Sequence, residues 1–215
     1  VSFWEYVSSR WEQLAVDAFQ HASAVVQCTI IAAFIGVLVG VVVYRSPVGS
    51  SLATALTSAI LTVPSFALFG LLIPVLGLGV PPTVTALVLY ALLPIVRNTI
   101  VGLNALDRSV VDAAKGIGMS RWHVLTRVEL PLAWPSVLTG MRVSTQLLMG
   151  ILAIAAYAKG PGLGNQILTG LARIGSANAV NSAVAGTLGI IALALVLDGL
   201  YILIGRMTTS RGVRV

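Results

Sequence analysis

Long apolar runs, separated by short polar breaks, dominate the chain. Residues 22–44, ASAVVQCTIIAAFIGVLVGVVVY, form the first run, which ends at Arg45, Ser46 and Pro47. About 20 apolar residues suffice for a helix to cross the hydrocarbon core, so this run predicts a membrane span. A second span is predicted over 51–73, with Pro64 inside it and a chargeless turn of Pro74, Gly77, Gly79, Pro81 and Pro82 after it. Further spans are predicted at about 83–103, 134–157 and 180–205. The third and fourth spans are joined by a polar loop, 104–133, and the fourth and fifth by a glycine-rich segment containing KGPGLGNQ.

Residues 2–20 follow a different pattern. Phe3, Val7, Trp11, Leu14, Ala15 and Ala18 recur at helical spacing between Glu5, Ser8, Ser9, Arg10, Glu12, Gln13 and Asp17. This predicts an amphipathic helix over 1–21 lying on the membrane surface, with Trp4 and Trp11 at headgroup depth. The four charges in this stretch do not fit a signal peptide. The expected organisation is thus an interfacial helix at 1–21, a transmembrane domain at 22–206 and a short tail at 207–215.

Composition agrees with a membrane protein. Of 215 residues, 57% are hydrophobic and only 9% charged, with a mean hydropathy of +0.97. Soluble domains carry roughly a quarter charged residues. The net charge of +6 therefore reads as an excess of Lys and Arg in cytoplasmic loops and not as a nucleic-acid surface. Placing the 104–133 loop in the cytoplasm gathers Arg45, Arg108, Lys115, Arg121, Arg127, Arg206, Arg211 and Arg214 on one side, against Arg10, Lys159 and Arg173 on the other. The N-terminus is then expected outside and the C-terminus inside.

The polar loop has its own internal order. Asp107 can cap a short helix whose apolar side is Val110, Val111, Ala114 and Ile117, and Gly116 and Gly118 can end it. Ser120 can cap a second short helix carrying Trp122, Leu125 and Val128, closed by Pro131 before the fourth span. Ala113 and Ala114 are small enough to let a partner's groove approach the backbone.

Asp112, Ala113, Ala114, Gly118 and then Val128, Glu129, Leu130 and Pro131 resemble the EAA loop of permease subunits of binding-protein-dependent ABC importers, with Asp112 where that family usually has Glu. Residues 66–103 and 128–142 resemble the osmoprotectant branch in particular, which imports glycine betaine, choline, carnitine or proline betaine. Methionine and phosphonate permeases share the loop and a glycine-rich stretch but are less similar through the second and third spans.

The resemblance implies an all-α integral membrane fold, the five-helix type I importer permease, in the bacterial inner membrane. It implies a coupling helix that docks an ATPase subunit, at Asp112, Ala113, Ala114, Gly118, Met119 and Ser120, with Val128, Leu130 and Pro131 in support. The implied partners are ABC ATPase subunits holding ATP and magnesium, a second permease subunit (the same chain or a related one), an extracytoplasmic substrate-binding protein and membrane lipid. No cofactor is expected in this chain. An outer loop beside the pathway is implied at Gly160, Gly162 and Gly164; the plainer reading of these residues is a turn between two spans.

Charges inside spans are costly and mark a pathway or a partner. At about 1.5 Å per residue, Arg142 and Asp198 are expected at similar depth and can pair, fixing the fourth span to the fifth. Snorkelling to the interface is the alternative for both, and for Arg97. Gly36 and Gly40 have the spacing of a close helix contact. Cys28 is a lone cysteine within an apolar run, and reads as a small buried hydrophobe. His21 and His123 fall on opposite membrane sides, so no nucleophile–base or metal constellation emerges, which weighs against a membrane-embedded enzyme. A self-contained channel would have no need of the docking loop.

Overall fold

The computed structural model describes residues 2–209, so most of the expected tail at 207–215 lies outside the described residues. All described elements are helical. Helix α1 (Phe3–Ser9) opens with a capping box, in which the Glu5 amide donates to the Ser2 hydroxyl and the Ser2 amide to the Glu5 carboxylate. The chain breaks at Arg10 and resumes as α2 (Trp11–Val43). The helix expected over 1–21 breaks at Arg10, and residues 11–21 run without interruption into the helix of the first span. Nothing after Arg10 interrupts the backbone ladder, so the helix continues into the apolar run. Its 33 residues reach about 50 Å at 1.5 Å per residue, against a hydrocarbon core of about 30 Å. Glu12 and Asp17 therefore project beyond the apolar layer.

The second expected span, 51–73, is also corrected. It is two helices, α3 (Pro47–Thr62) and α4 (Ser65–Leu76), bent by 92° at Val63 and Pro64. Proline lacks an amide and disfavours a helical predecessor, which releases the Val63 carbonyl. In an apolar layer such a group needs a partner, and the Tyr90 hydroxyl donates to it at 2.7 Å.

Helix α5 (Val80–Asn104) is the centre of the bundle, packed by α2, α3, α4 and α8. After α6 (Arg108–Gly116), α7 (Arg121–Val124) passes through a π turn (Leu125–Glu129) into α8 (Leu130–Ile154) and a 3-10 turn (Ala155–Ala158). Pro131 thus does not close a second short helix as expected. The widened π turn takes up the missing amide and the ring clash of proline without ending the helix, so Arg121 to Ala158 is one rod. Helix α9 (Gly164–Ala172) packs on α10 (Ala179–Thr208). Among the described residues four helices are long and apolar enough to span a membrane, or five if the bent α3–α4 pair counts as one.

Leu87, Ile95, Leu148 and Leu152 are fully buried where α5 and α8 meet. Helix α2 approaches α5 through the Gly36 and Gly40 pair. A Cβ at Gly40 would lie 2.6 Å from Thr99 Cγ2, and one at Gly36 2.7 Å from Ile95 Cγ2. The glycine spacing therefore sets how closely the two backbones pack.

Candidate functional site

The polar loop is built from its caps inward. The Ser109 amide donates to Asp107 Oδ1 at 2.9 Å, starting α6. That contact, followed by the Ser109 hydroxyl, holds the exposed Asp107 carboxyl below the usual carboxylate range. Gly118 ends the helix with a φ of 87°, its amide donating to Lys115 and the Met119 amide to Ala114. Ser120 then accepts from the His123 amide and starts α7.

The apolar stripe of α6 divides between two faces. Ala114 is 7% exposed and packs inward, where α6 meets α7 and the π turn. Val110, Ala113 and Ile117 face outward, with Ile117 81% exposed. Asp112 is exposed and pairs with Lys115 at 3.2 Å, a surface contact worth little by itself. Of the two small residues expected to admit a partner, Ala113 lies on the outer face and Ala114 on the inner one. Ser120 is exposed and Met119 half-buried.

A buried carboxylate ties this loop to the bundle. Glu129, in the π turn, is 5% exposed. It accepts from the Tyr44 hydroxyl at 2.8 Å and from Arg45 Nη2 at 3.1 and 3.3 Å. Tyr44 and Arg45 close the end of α2, so α2 and the loop are joined by charge-assisted bonds. Val128 and Leu130 are half-buried beside Glu129, and Pro131 is exposed. The resemblance runs through Glu129 as well, but assigns support to Val128, Leu130 and Pro131 and no role to Glu129. The available signal was a carboxylate between two apolar positions, but its partners lie far away in the chain.

Within the bundle, Arg142 Nε and Nη2 each donate to Asp198 at 2.6 Å, a bidentate pair between α8 and α10. Gln146 donates to the Ala194 carbonyl at 3.1 Å, and Thr145 bonds both Tyr201 and Thr29. A groove of about 800 Å³ runs beside this pair, bounded by Thr139, Arg142, Tyr201 and Gly205. Arg97 is exposed near the loop end of α5 and is not among Asp198's partners.

At the opposite end, Gly160, Gly162 and Gly164 are all buried. Cβ atoms there would collide with Thr83, His21 and Ala153, so packing accounts for their identity. Asn165 donates to the Gly160 and Gly162 carbonyls and pins the turn. Gln166 accepts from Tyr6 and donates to Asp17 at 2.7 Å, which fastens α1 and α2 to α9. His21 and His123 sit at opposite ends, Cys28 is buried, and no group of three potential metal ligands occurs among the described residues.

Comparison with known proteins identifies the family. Residues 32–209 match the family of binding-protein-dependent transport system inner membrane components. The osmoprotectant import permease protein OsmW of Salmonella typhimurium is 39% identical over 206 residues, covering 94% of each chain. The choline transport system permease protein OpuBB of Bacillus subtilis is 31% identical over 210 residues, 98% of this chain and 95% of that one. Among solved structures, the inward-facing MetNI methionine ABC transporter superposes with a TM-score of 0.77 at 19% identity, covering 92% of this chain and 96% of that one. That likeness establishes the fold. The chain belongs to the binding-protein-dependent transport family and is a multi-pass inner-membrane transport subunit, not an enzyme.

Proposed function

We propose that this chain is the permease of an ATP-driven importer for osmolytes such as glycine betaine, choline, carnitine or proline betaine. The substrate class is supported by relatives whose names specify such solutes and which align over nearly the whole chain. The methionine transporter, by contrast, is similar at the level of fold.

The observation that carries the mechanism is the outward face of α6. Val110, Ala113 and Ile117 present an apolar strip on a polar helix, flanked by Asp112, Gly118, Met119 and Ser120. This is the surface for a cleft in an ATPase subunit, which holds the ATP and magnesium. Movement of the docked helix would pass to α7 and along the continuous rod into α8, then through Arg142 and Asp198 into α10. Glu129 carries the same displacement to α2. Rocking of these helices in two permease subunits, identical or related, alternates access to a shared pathway. A binding protein delivers the solute at the opposite end, where α9 and the turn at Gly160, Gly162 and Gly164 lie.

The loop end holds Arg45, Arg108, Lys115, Arg121, Arg127 and Arg206, against Arg10, Lys159 and Arg173 at the other end. That imbalance supports a cytoplasmic loop, an external N-terminus and an internal C-terminus. The test is Ala113→Glu, since the same change at buried Ala114 would disturb the chain's own packing. Ala113→Glu is expected to insert normally, lose the ATPase on purification and lose uptake. Normal uptake by this variant contradicts the docking assignment.

A further inference from the structure

A second feature of the loop end is unrelated to the outward face of α6. A groove of about 400 Å³ opens between the end of α2 and the start of α7. It is lined by Val41, Val42, Tyr44 and Leu125, together with Arg45, Arg121 and Trp122. We propose that this groove holds one anionic phospholipid of the adjacent leaflet, its phosphodiester between the two arginines and an acyl chain along the valines.

Polarity changes from apolar to basic along the axis of α2. Val42, 72% exposed, and Arg45 are separated by about 5 Å of helix rise, a distance that suits the step from acyl chain to phosphate. Trp122, 68% exposed, lines the same groove, and such amphipathic rings settle between hydrocarbon and water. Both cations are arginines, whose planar donor sets suit two oxygens of a phosphodiester.

The charges also call for an anion. Arg45 already meets Glu129 and lies over the Tyr44 ring at 5.0 Å. The Arg121 side chain makes no hydrogen bond or ion pair with the described residues. It is also the first residue of α7, where the helix dipole disfavours a cation. Two arginines against one glutamate leave a single positive charge, which one phosphodiester balances. A zwitterionic headgroup brings the same phosphodiester but adds a cation, so the groove's net positive charge stays unbalanced. A soluble anion has no use for the valine wall, and a protein partner would have to reach below the headgroup level to fill it. The lipid would bridge α2 and α7 beside the Glu129 contact, and so steady the frame of the docking loop. This inference rests on the proposed placement of the loop at a membrane interface, but not on which solute is carried.

The test uses the complete transporter, permease with its ATPase, in nanodiscs containing lipids brominated on their acyl chains. Quenching attributable to Trp122 is the difference between wild type and Trp122→Phe. Brominated phosphatidylglycerol is expected to quench Trp122 at about a fivefold lower mole fraction than brominated phosphatidylcholine. Arg121→Gln should remove most of that preference, and Arg121→Lys should retain part of it. Equal quenching by the two lipids in wild type overturns the proposal, as does an unchanged preference in Arg121→Gln. Absence of quenching by either lipid means that a protein partner covers the groove. Loss of the preference in millimolar inorganic phosphate means a soluble-anion site; either result overturns the lipid assignment. Both nanodisc leaflets share one composition, so an inverted topology does not alter the result. That error is detected separately by impermeant thiol labelling of Ser109→Cys in cells.

Discussion

Replacing Glu129 by alanine removes the acceptor that joins α2 to the polar loop. Three contacts disappear, from the Tyr44 hydroxyl and twice from Arg45 Nη2. The two donors are affected unequally. The Arg45 side chain is 50% exposed, so water replaces its partner and the loss is small. Tyr44 is 8% exposed, and its hydroxyl is left without an acceptor, at a cost of about 1–3 kcal/mol. Trimming the side chain also leaves a small void beside Val128 and Leu130. The expected loss is therefore about 2 kcal/mol, dominated by tyrosine. Equilibrium unfolding in mixed micelles measures it, with Tyr44→Phe completing a double-mutant cycle. In the Tyr44→Phe background no hydroxyl remains to be orphaned, so Glu129→Ala should cost about 1 kcal/mol or less. Glu129→Gln keeps an acceptor and should behave mildly. Equal losses from Glu129→Ala with and without the tyrosine hydroxyl would refute this reasoning.

Three other perturbations test separate links. Gly40→Val inserts a branched side chain where Thr99 leaves no room, and should cost about 1–3 kcal/mol in the same unfolding assay, with Val39→Ala on the neighbouring face as the control. Arg142→Ala leaves Asp198 without its bidentate partner and should lower the yield of folded protein sharply, while Arg142→Met with Asp198→Leu should recover much of it. The Asp107 carboxyl is held low by the Ser109 amide, so its contribution is complete above the unfolded pKa and lost as pH falls through the lower folded one. Spin-label mobility on α6 should accordingly be flat near neutral pH and rise only in acid, and Asp107→Asn should remove that acid step.

Local chemistry made much of the loop legible. Asp107, Gly118 and Ser120 act through their immediate neighbours, so their positions mark where α6 ends and α7 begins. Arg142 and Asp198 drew attention because charge is rare in an apolar run, and the structure brings them together. What escaped depended on distant packing. Pro64, Pro74, Pro94 and Pro131 all lie within apolar runs or beside them, yet only at Pro64 does the helix turn sharply. The difference at that position is Tyr90, which satisfies the released carbonyl from another helix. Ala113 and Ala114 differ only in which face of a short helix meets α7, and periodicity alone could not orient them. The break at Arg10 is similar, since Tyr6 of α1 is held by Gln166 from the far end of the chain.

The central claim is that this subunit lets a partner ATPase drive osmolyte import. It is tested most directly by solute uptake into proteoliposomes holding the permease with its ATPase and binding protein. Labelled glycine betaine, choline, carnitine and methionine are compared with and without ATP on the loop side. At least one quaternary-ammonium solute is expected to accumulate only with ATP, and methionine is not. Accumulation of methionine in preference to all of these solutes, or osmolyte entry that needs no ATPase, would contradict the account.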